Sequence, residues 1–134
     1  MKEIKANIVI QRPREVAFNF TINPRNTPKW IEWISLEEAN EVPIKLGTLY
    51  TSHDKSGKKH ELKVTELEPG EMFSMSTLDD SLHVRYTFKS LNLDSCSLEY
   101  FVWASTGEIP VSFTKQSVWA ILNKLAQIME EHKL

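Results

Sequence analysis

LKVTELEPGEMFSMST, residues 62–77, is the stretch that decides the fold. Leu62 and Val64 alternate with Lys63 and Thr65, and Phe73, Met75 and Thr77 alternate with Ser74 and Ser76. Two segments of period two around a Pro69-Gly70 turn read as a β-hairpin with one apolar face. A turn centred there pairs Val64 with Met75 and Leu62 with Thr77, apolar opposite apolar.

The pattern extends on both sides. Further turn signals stand at Lys45-Leu46-Gly47, Ser56-Gly57, Asp79-Asp80-Ser81 and Asn92 to Ser95, at the spacing of an antiparallel meander. A two-residue turn at Ser56-Gly57 pairs Leu49 with Val64, Thr51 with Leu62 and His53 with His60. A turn at Asp80-Ser81 pairs Met75 with Tyr86 and Phe73 with Phe88. The loop at Asn92 to Asp94 pairs Tyr86 with Tyr100 and Val84 with Val102. All four hairpins then agree on one buried face. The opposite face carries Lys63, Thr65, Ser74, Ser76, Thr87, Lys89 and Glu99, and reads as solvent-facing. Phe101 and Trp103 interrupt it, opposite Arg85 and His83. They are either rings covered by those cations or a patch for a homodimer.

Before the meander, Ile4, Ala6, Ile8 and Ile10 share one parity and predict a half-buried strand. Pro13 opens a short helix that carries Val16, Ala17 and Phe20 and stops at Asn23-Pro24. A second helical turn spans Arg25 to Trp33. After the meander, Val111 to His132 predicts a long helix with Val111, Val118, Leu122, Leu125 and Met129 on one stripe. Trp119 and Ala126 widen that stripe on one side, and Ile121 and Ile128 on the other, so a wrapping surface is expected around the helix.

Composition narrows the function. The 134 residues predict a single domain, 1–134, large enough for a core of its own. Sixteen basic against eighteen acidic residues give a net charge of −2, so no basic field exists to hold nucleic acid. The longest apolar run is five residues, against the ~20 that a spanning helix needs, so no stable membrane insertion is expected. The opening MKEIKANIVIQR lacks the continuous apolar stretch of a signal peptide, and with the lone Cys96 it predicts a cytoplasmic protein.

On these residues the chain resembles the SRPBCC or START-like superfamily, the helix-grip fold of pollen allergens and polyketide cyclase-like proteins. The resemblance runs through the strand Ile4 to Ile10, RPREVAFNFTINPRNTPKW ending at Trp30, LGTLY at 46–50, VTELEPGE at 64–71 and the last helix. It implies an α+β architecture, with a seven-stranded curved antiparallel sheet wrapped around a long C-terminal helix. Two short helices follow the first strand and close one end. It further implies a hydrophobic cavity between sheet and helix. Members bind lipids, sterols or polyketides, some are cyclase- or dehydratase-type enzymes, and some resemble chaperone activators.

The aligned inner face then nominates the ligand contacts: Leu49, Thr51, Leu62, Val64, Phe73, Met75, Thr77 and Val84 from the strands. Val118, Leu122 and Leu125 face them from the helix. Tyr86 and Tyr100 offer hydroxyls on apolar bodies, as handles for a ligand or as core with bonded hydroxyls. Trp30 and Trp33 are expected to plug one end. His53 and His60, with Asp79 on the next strand, are either a metal or general-base group or a solvated structural pair. Glu66 is expected to be exposed, Cys96 buried and inert, and His132 solvated. No phosphate-cradling loop, nucleophile elbow or zinc spacing occurs, so no cofactor and no metal are expected. None of the four arginines falls on the inner face. The expected function is binding of a small apolar or amphipathic ligand. Its alternatives are a cyclase- or dehydratase-type enzyme using the Tyr and His residues, and a chaperone-activator-like interaction protein.

Overall fold

The computed structural model describes residues 2–131. Seven strands form one antiparallel sheet: β1 (Glu3–Ile10), β2 (Ile34–Ala39), β3 (Leu49–Asp54), β4 (Lys59–Glu68), β5 (Met72–Thr77), β6 (Leu82–Asn92) and β7 (Ser95–Ala104). Their order is β1-β7-β6-β5-β4-β3-β2. Between β1 and β2 lie α1 (Arg14–Ile22), a 3-10 turn at Pro24–Asn26 and α2 (Thr27–Trp30), and α3 (Lys115–Glu131) follows β7.

Local chemistry sets the helix bounds. Asn23 accepts from the Arg25 N–H through its side chain and turns the chain after α1. At α3, Thr114 Oγ1 accepts from Ser117 N while Ser117 Oγ accepts from Thr114 N, a reciprocal cap. The helix therefore starts at Lys115 rather than at Val111, which is 97% exposed in the preceding loop. Val118, Leu122, Leu125, Ala126 and Met129 form its buried stripe, whereas Trp119 stands half in solvent instead of widening it. The far end of that prediction, His132, lies outside the described residues. α3 rests mainly on β1 and α2. Arg12 ties its last turn to the end of β1 by donating to the carbonyls of Met129 and Glu130.

The register agrees with the sequence at two hairpins and departs from it at two. Leu62–Thr77, Val64–Met75, Tyr86–Tyr100 and Val84–Val102 pair as expected. Between β3 and β4 the pairing is one residue off: Tyr50 faces Leu62, and Ser52 faces His60. The cause is a three-residue loop. Asp54 Oδ1 accepts from Ser56 N and Lys58 N, and Gly57 closes the turn at φ +89°, where a side chain would be strained. Leu49 and Thr51 thus lie on the outer face and leave the list of inner contacts. Between β5 and β6 the pairing is two residues off, Met75 opposite Val84 and Phe73 opposite Tyr86. Here a longer turn with Asp80 at φ +59° replaces the two-residue one, and the even slip preserves the faces. A register shift between Val64 and Glu66 carries Glu66 to the outer face.

On that outer face Glu66 receives Ser74 Oγ at 2.7 Å and pairs with Arg85 at 2.7 Å. Ser74 and Ser76 are consequently buried beneath charged side chains rather than exposed. Arg85 also lies 4.9 Å over the Trp103 ring, His83 stacks on Trp103 at 4.9 Å, and Lys5 lies 4.8 Å over Phe101. The two outer rings are therefore covered by cations of the same chain.

Candidate functional site

The concave face of the sheet has a filled centre. Phe73 stacks on Tyr86 at 4.6 Å, and Tyr100 meets Tyr86 edge-on at 5.3 Å. Trp30 approaches Tyr86 edge-on at 6.3 Å, and Phe18 of α1 approaches Phe73 and Phe88, each at 5.7 Å. Burial pushes both phenols, Tyr86 and Tyr100, well above the usual range, so they are neutral hydrogen-bonding groups.

The two ends differ. α1 buries Ala17, Phe18 and Phe20 against one end and closes it. At the other end gather the β3–β4 tip, the β5–β6 tip, the loop after β7 and the start of β2. Lys55 N bonds Trp33 O there, and Ser105 N bonds Ser81 O. Deep inner-face residues such as Val64, Met75, Tyr86, Tyr100 and Val102 are buried. Toward the second end Leu62, Thr77, Leu82 and Val84 become half-buried. Trp33, which meets His60 edge-on, and Leu78 in the β5–β6 turn stand exposed at this end. The apolar inner face is thus sealed at the α1 end and partly accessible to solvent at the other. Trp30 is buried as expected, but Trp33, 50% exposed, belongs to the rim instead of plugging the interior.

The corrected register also brings in residues that the sequence did not nominate. Tyr50 is 2% exposed on the inner face, and its hydroxyl donates to the Ile22 carbonyl at 2.5 Å. Glu37 of β2, opposite Ser52, is 8% exposed and accepts from the Thr27 hydroxyl at 2.7 Å. Burial pushes the Glu37 carboxyl up to about 7, against the opposing pull of the Thr27 bond. Trp30, one helical turn from Thr27, holds an indole N–H that is closed off from water and has no partner among the described residues. No sequence signal separates Glu37 from its neighbour Glu38; only the pairing of β2 on β3 does.

His53 and His60 fall on opposite faces, so they do not form a pair. His60 bonds Asp54 at 3.0 Å and meets Trp33 edge-on at 5.6 Å. Asp79 caps its own turn, accepting from Ser81 and Thr77, and these bonds pull its carboxyl down to about 2. Excess zinc is therefore expected to leave the melting temperature unchanged. A rise with zinc that His60→Ala removes would contradict this arrangement. Cys96 is fully buried, and burial pushes its thiol up.

No protein-family model matches the chain, and a search of curated proteins returned no match. Solved structures do match it. Protein MLL2253 from Mesorhizobium loti superposes with a TM-score of 0.79 at 14% identity, over 99% of this chain and 100% of that one. The Aha1 dimer from Colwellia psychrerythraea gives 0.76 at 13% identity, over 100% of both chains. Norcoclaurine synthase from Thalictrum flavum, in complex with dopamine and hydroxybenzaldehyde, gives 0.71 at 12% identity, over 99% of this chain and 88% of that one. The chain has the helix-grip fold. At these identities the likeness is one of fold, and the helix-grip scaffold hosts unlike functions. Among the described residues no helix is long and apolar enough to cross a membrane.

Proposed function

We propose that this helix-grip protein binds a small apolar or amphipathic molecule, lipid-, sterol- or polyketide-like, in the cleft between sheet and α3. The observation that carries this reading is the burial gradient along the concave face, which ends on an exposed apolar rim. Leu62, Val64, Met75, Thr77 and Val84 form the strand side of the site, and Tyr86 and Tyr100 its floor. Phe73, Trp30, Val118, Leu122 and Leu125 back them from the core. The complex of norcoclaurine synthase with two small aromatic molecules supports the capacity of this scaffold to hold such ligands. In the same reading the chain is a single domain, 1–134, working in the cytoplasm.

The cyclase- or dehydratase-type alternative has less support. Its His53/His60/Asp79 group is dispersed, its tyrosines hold their protons far above neutral pH, and Arg85 lies on the outer face.

Leu62→Trp tests the cleft, because Leu62 is half-buried toward the open end of the inner face. Wild type is expected to bind the neutral fluorophore Nile red, and the variant to bind it about tenfold more weakly. Its unfolding free energy is expected to stay within about 1 kcal/mol of wild type, less than the ~1–3 kcal/mol of an overpacked core. A wild type that ignores Nile red, or a variant that binds it equally well, would refute the reading. Native mass spectrometry of freshly purified protein then looks for a co-purified ligand as added mass.

A further inference from the structure

We propose that an open groove on the outer face of the sheet, over the start of β5, binds a small zwitterion of the α-amino-acid type. Glu68 takes its ammonium, Lys89 takes its carboxylate, and Met72 receives its apolar side chain. The groove lies on the opposite face from the ligand site proposed above, and neither reading depends on the other.

The register builds the groove. Glu66–Ser74–Arg85 and Glu68–Met72–Thr87 are successive rows across β4, β5 and β6. In the first row the Glu66–Arg85 ion pair, at 2.7 Å, bridges from bank to bank, and both partners bond Ser74 between them. In the second row no such bridge forms, and Met72 and Thr87 stay half-buried. β6 runs on past the β4–β5 turn and carries Lys89 beyond the last row. Arg14 of α1 and Glu71 in that turn, 3.6 Å apart, border this end. The open space amounts to about 460 Å3, inside the ~300–1,000 Å3 range of small-molecule sites.

Charge bookkeeping then names the ligand class. Three carboxylates, Glu66, Glu68 and Glu71, and three cations, Arg14, Arg85 and Lys89, line the groove. The two ion pairs use four of them. Glu68 and Lys89 are left on opposite banks, without a hydrogen bond or ion pair among the described residues. Two strand spacings, roughly 9–10 Å, separate their strands. An anion entering here is repelled by Glu68 and a cation by Lys89, whereas a molecule with both charges meets a partner on each bank. Thr87, two residues before Lys89 on the same face, offers a hydroxyl to the ligand carboxylate. The Met72 thioether is an adaptable surface for an apolar side chain. A merely solvated stretch of sheet has no preference for one charge pattern over another.

The test titrates isotope-labelled wild type, at low ionic strength, with leucine, 4-methylpentanoate and 3-methylbutylamine. These probes share one apolar chain and carry both charges, the negative one alone and the positive one alone. Leucine is expected to shift the backbone amides of Met72, Thr87 and Lys89 saturably, with a Kd of about a millimolar, the scale of a few exposed ion pairs. Each single-charge probe is expected to bind about tenfold more weakly, and added salt to weaken leucine. Glu68→Gln and Lys89→Gln change exposed side chains, so the fold is retained. Each is expected to weaken leucine about fivefold or more, and Glu68→Gln to leave 4-methylpentanoate no weaker than on wild type. No saturable shift at these amides, a single-charge probe that matches leucine, or variants that bind leucine as wild type does would each overturn the proposal.

Discussion

Glu37→Gln is expected to be clearly more stable than wild type at about pH 8.5 and no more stable at about pH 5. The Glu37 carboxyl ionises near 4.5 in the unfolded chain and near 7 in the folded one, because burial disfavours its charge. Between those values the folded state binds one more proton than the unfolded state, so wild-type stability falls as pH rises through the window. At 1.36 kcal/mol per decade the loss amounts to roughly 3 kcal/mol. Glutamine keeps an acceptor for Thr27 and has nothing to ionise, so its curve lacks the decline. The strongly hydrogen-bonded carboxyls of Asp54, Asp79 and Glu66 are held below their usual range. They are ionised in both states across this window and cancel in the comparison. Denaturant midpoints for both proteins from pH 5 to 8.5 decide the matter, and parallel curves would mean that Glu37 is solvated.

Phe73→Ala is expected to lower stability by about 3–5 kcal/mol, the range for removing a buried aromatic ring. Phe73 is 1% exposed, stacked on Tyr86 and met edge-on by Phe18. Its loss opens a hole between the sheet and α1, at the end that the fold closes. Val9→Ala, at a position half open to solvent, serves as the control and should change the unfolding free energy by no more than about 0.5 kcal/mol. A cost for Phe73→Ala near the control value would show that α1 does not pack on the sheet as described.

Much of the scaffold was readable because period two and turn residues act locally. Val64 and Met75 pair as predicted across Pro69-Gly70, and so do Tyr86 and Tyr100 across the Asn92 loop. Where the reading failed, loop length was the reason. Ser56-Gly57 fits a two-residue and a three-residue turn equally well in composition. The difference of one residue exchanges Leu49 and Thr51 for Tyr50 and Ser52 on the inner face. The error of two at Asp80 left every face intact. Glu37 was out of reach for a different reason. ISLEEA has no apolar alternation of its own, so the choice between two adjacent glutamates rests on a register shift near Leu36. The partial exposure at the far end of the inner face was equally hidden, since it depends on where α3 starts and which strands it leaves uncovered.

The pairing of β1 with β7, Ile4 opposite Val102, has a consequence for the newly made chain. The first strand waits at the ribosome for nearly the whole domain before its hydrogen-bonding edge is satisfied, and then for α3 before its apolar side is covered. No early portion of the sheet can close by itself around a helix that has not yet been synthesised. Closure of the sheet is therefore a late event in translation, because β1–β7 joins strands distant in sequence while the other five pairings join consecutive strands. Until it occurs, Ile4, Ile8 and Ile10 remain open to chaperones and to aggregation.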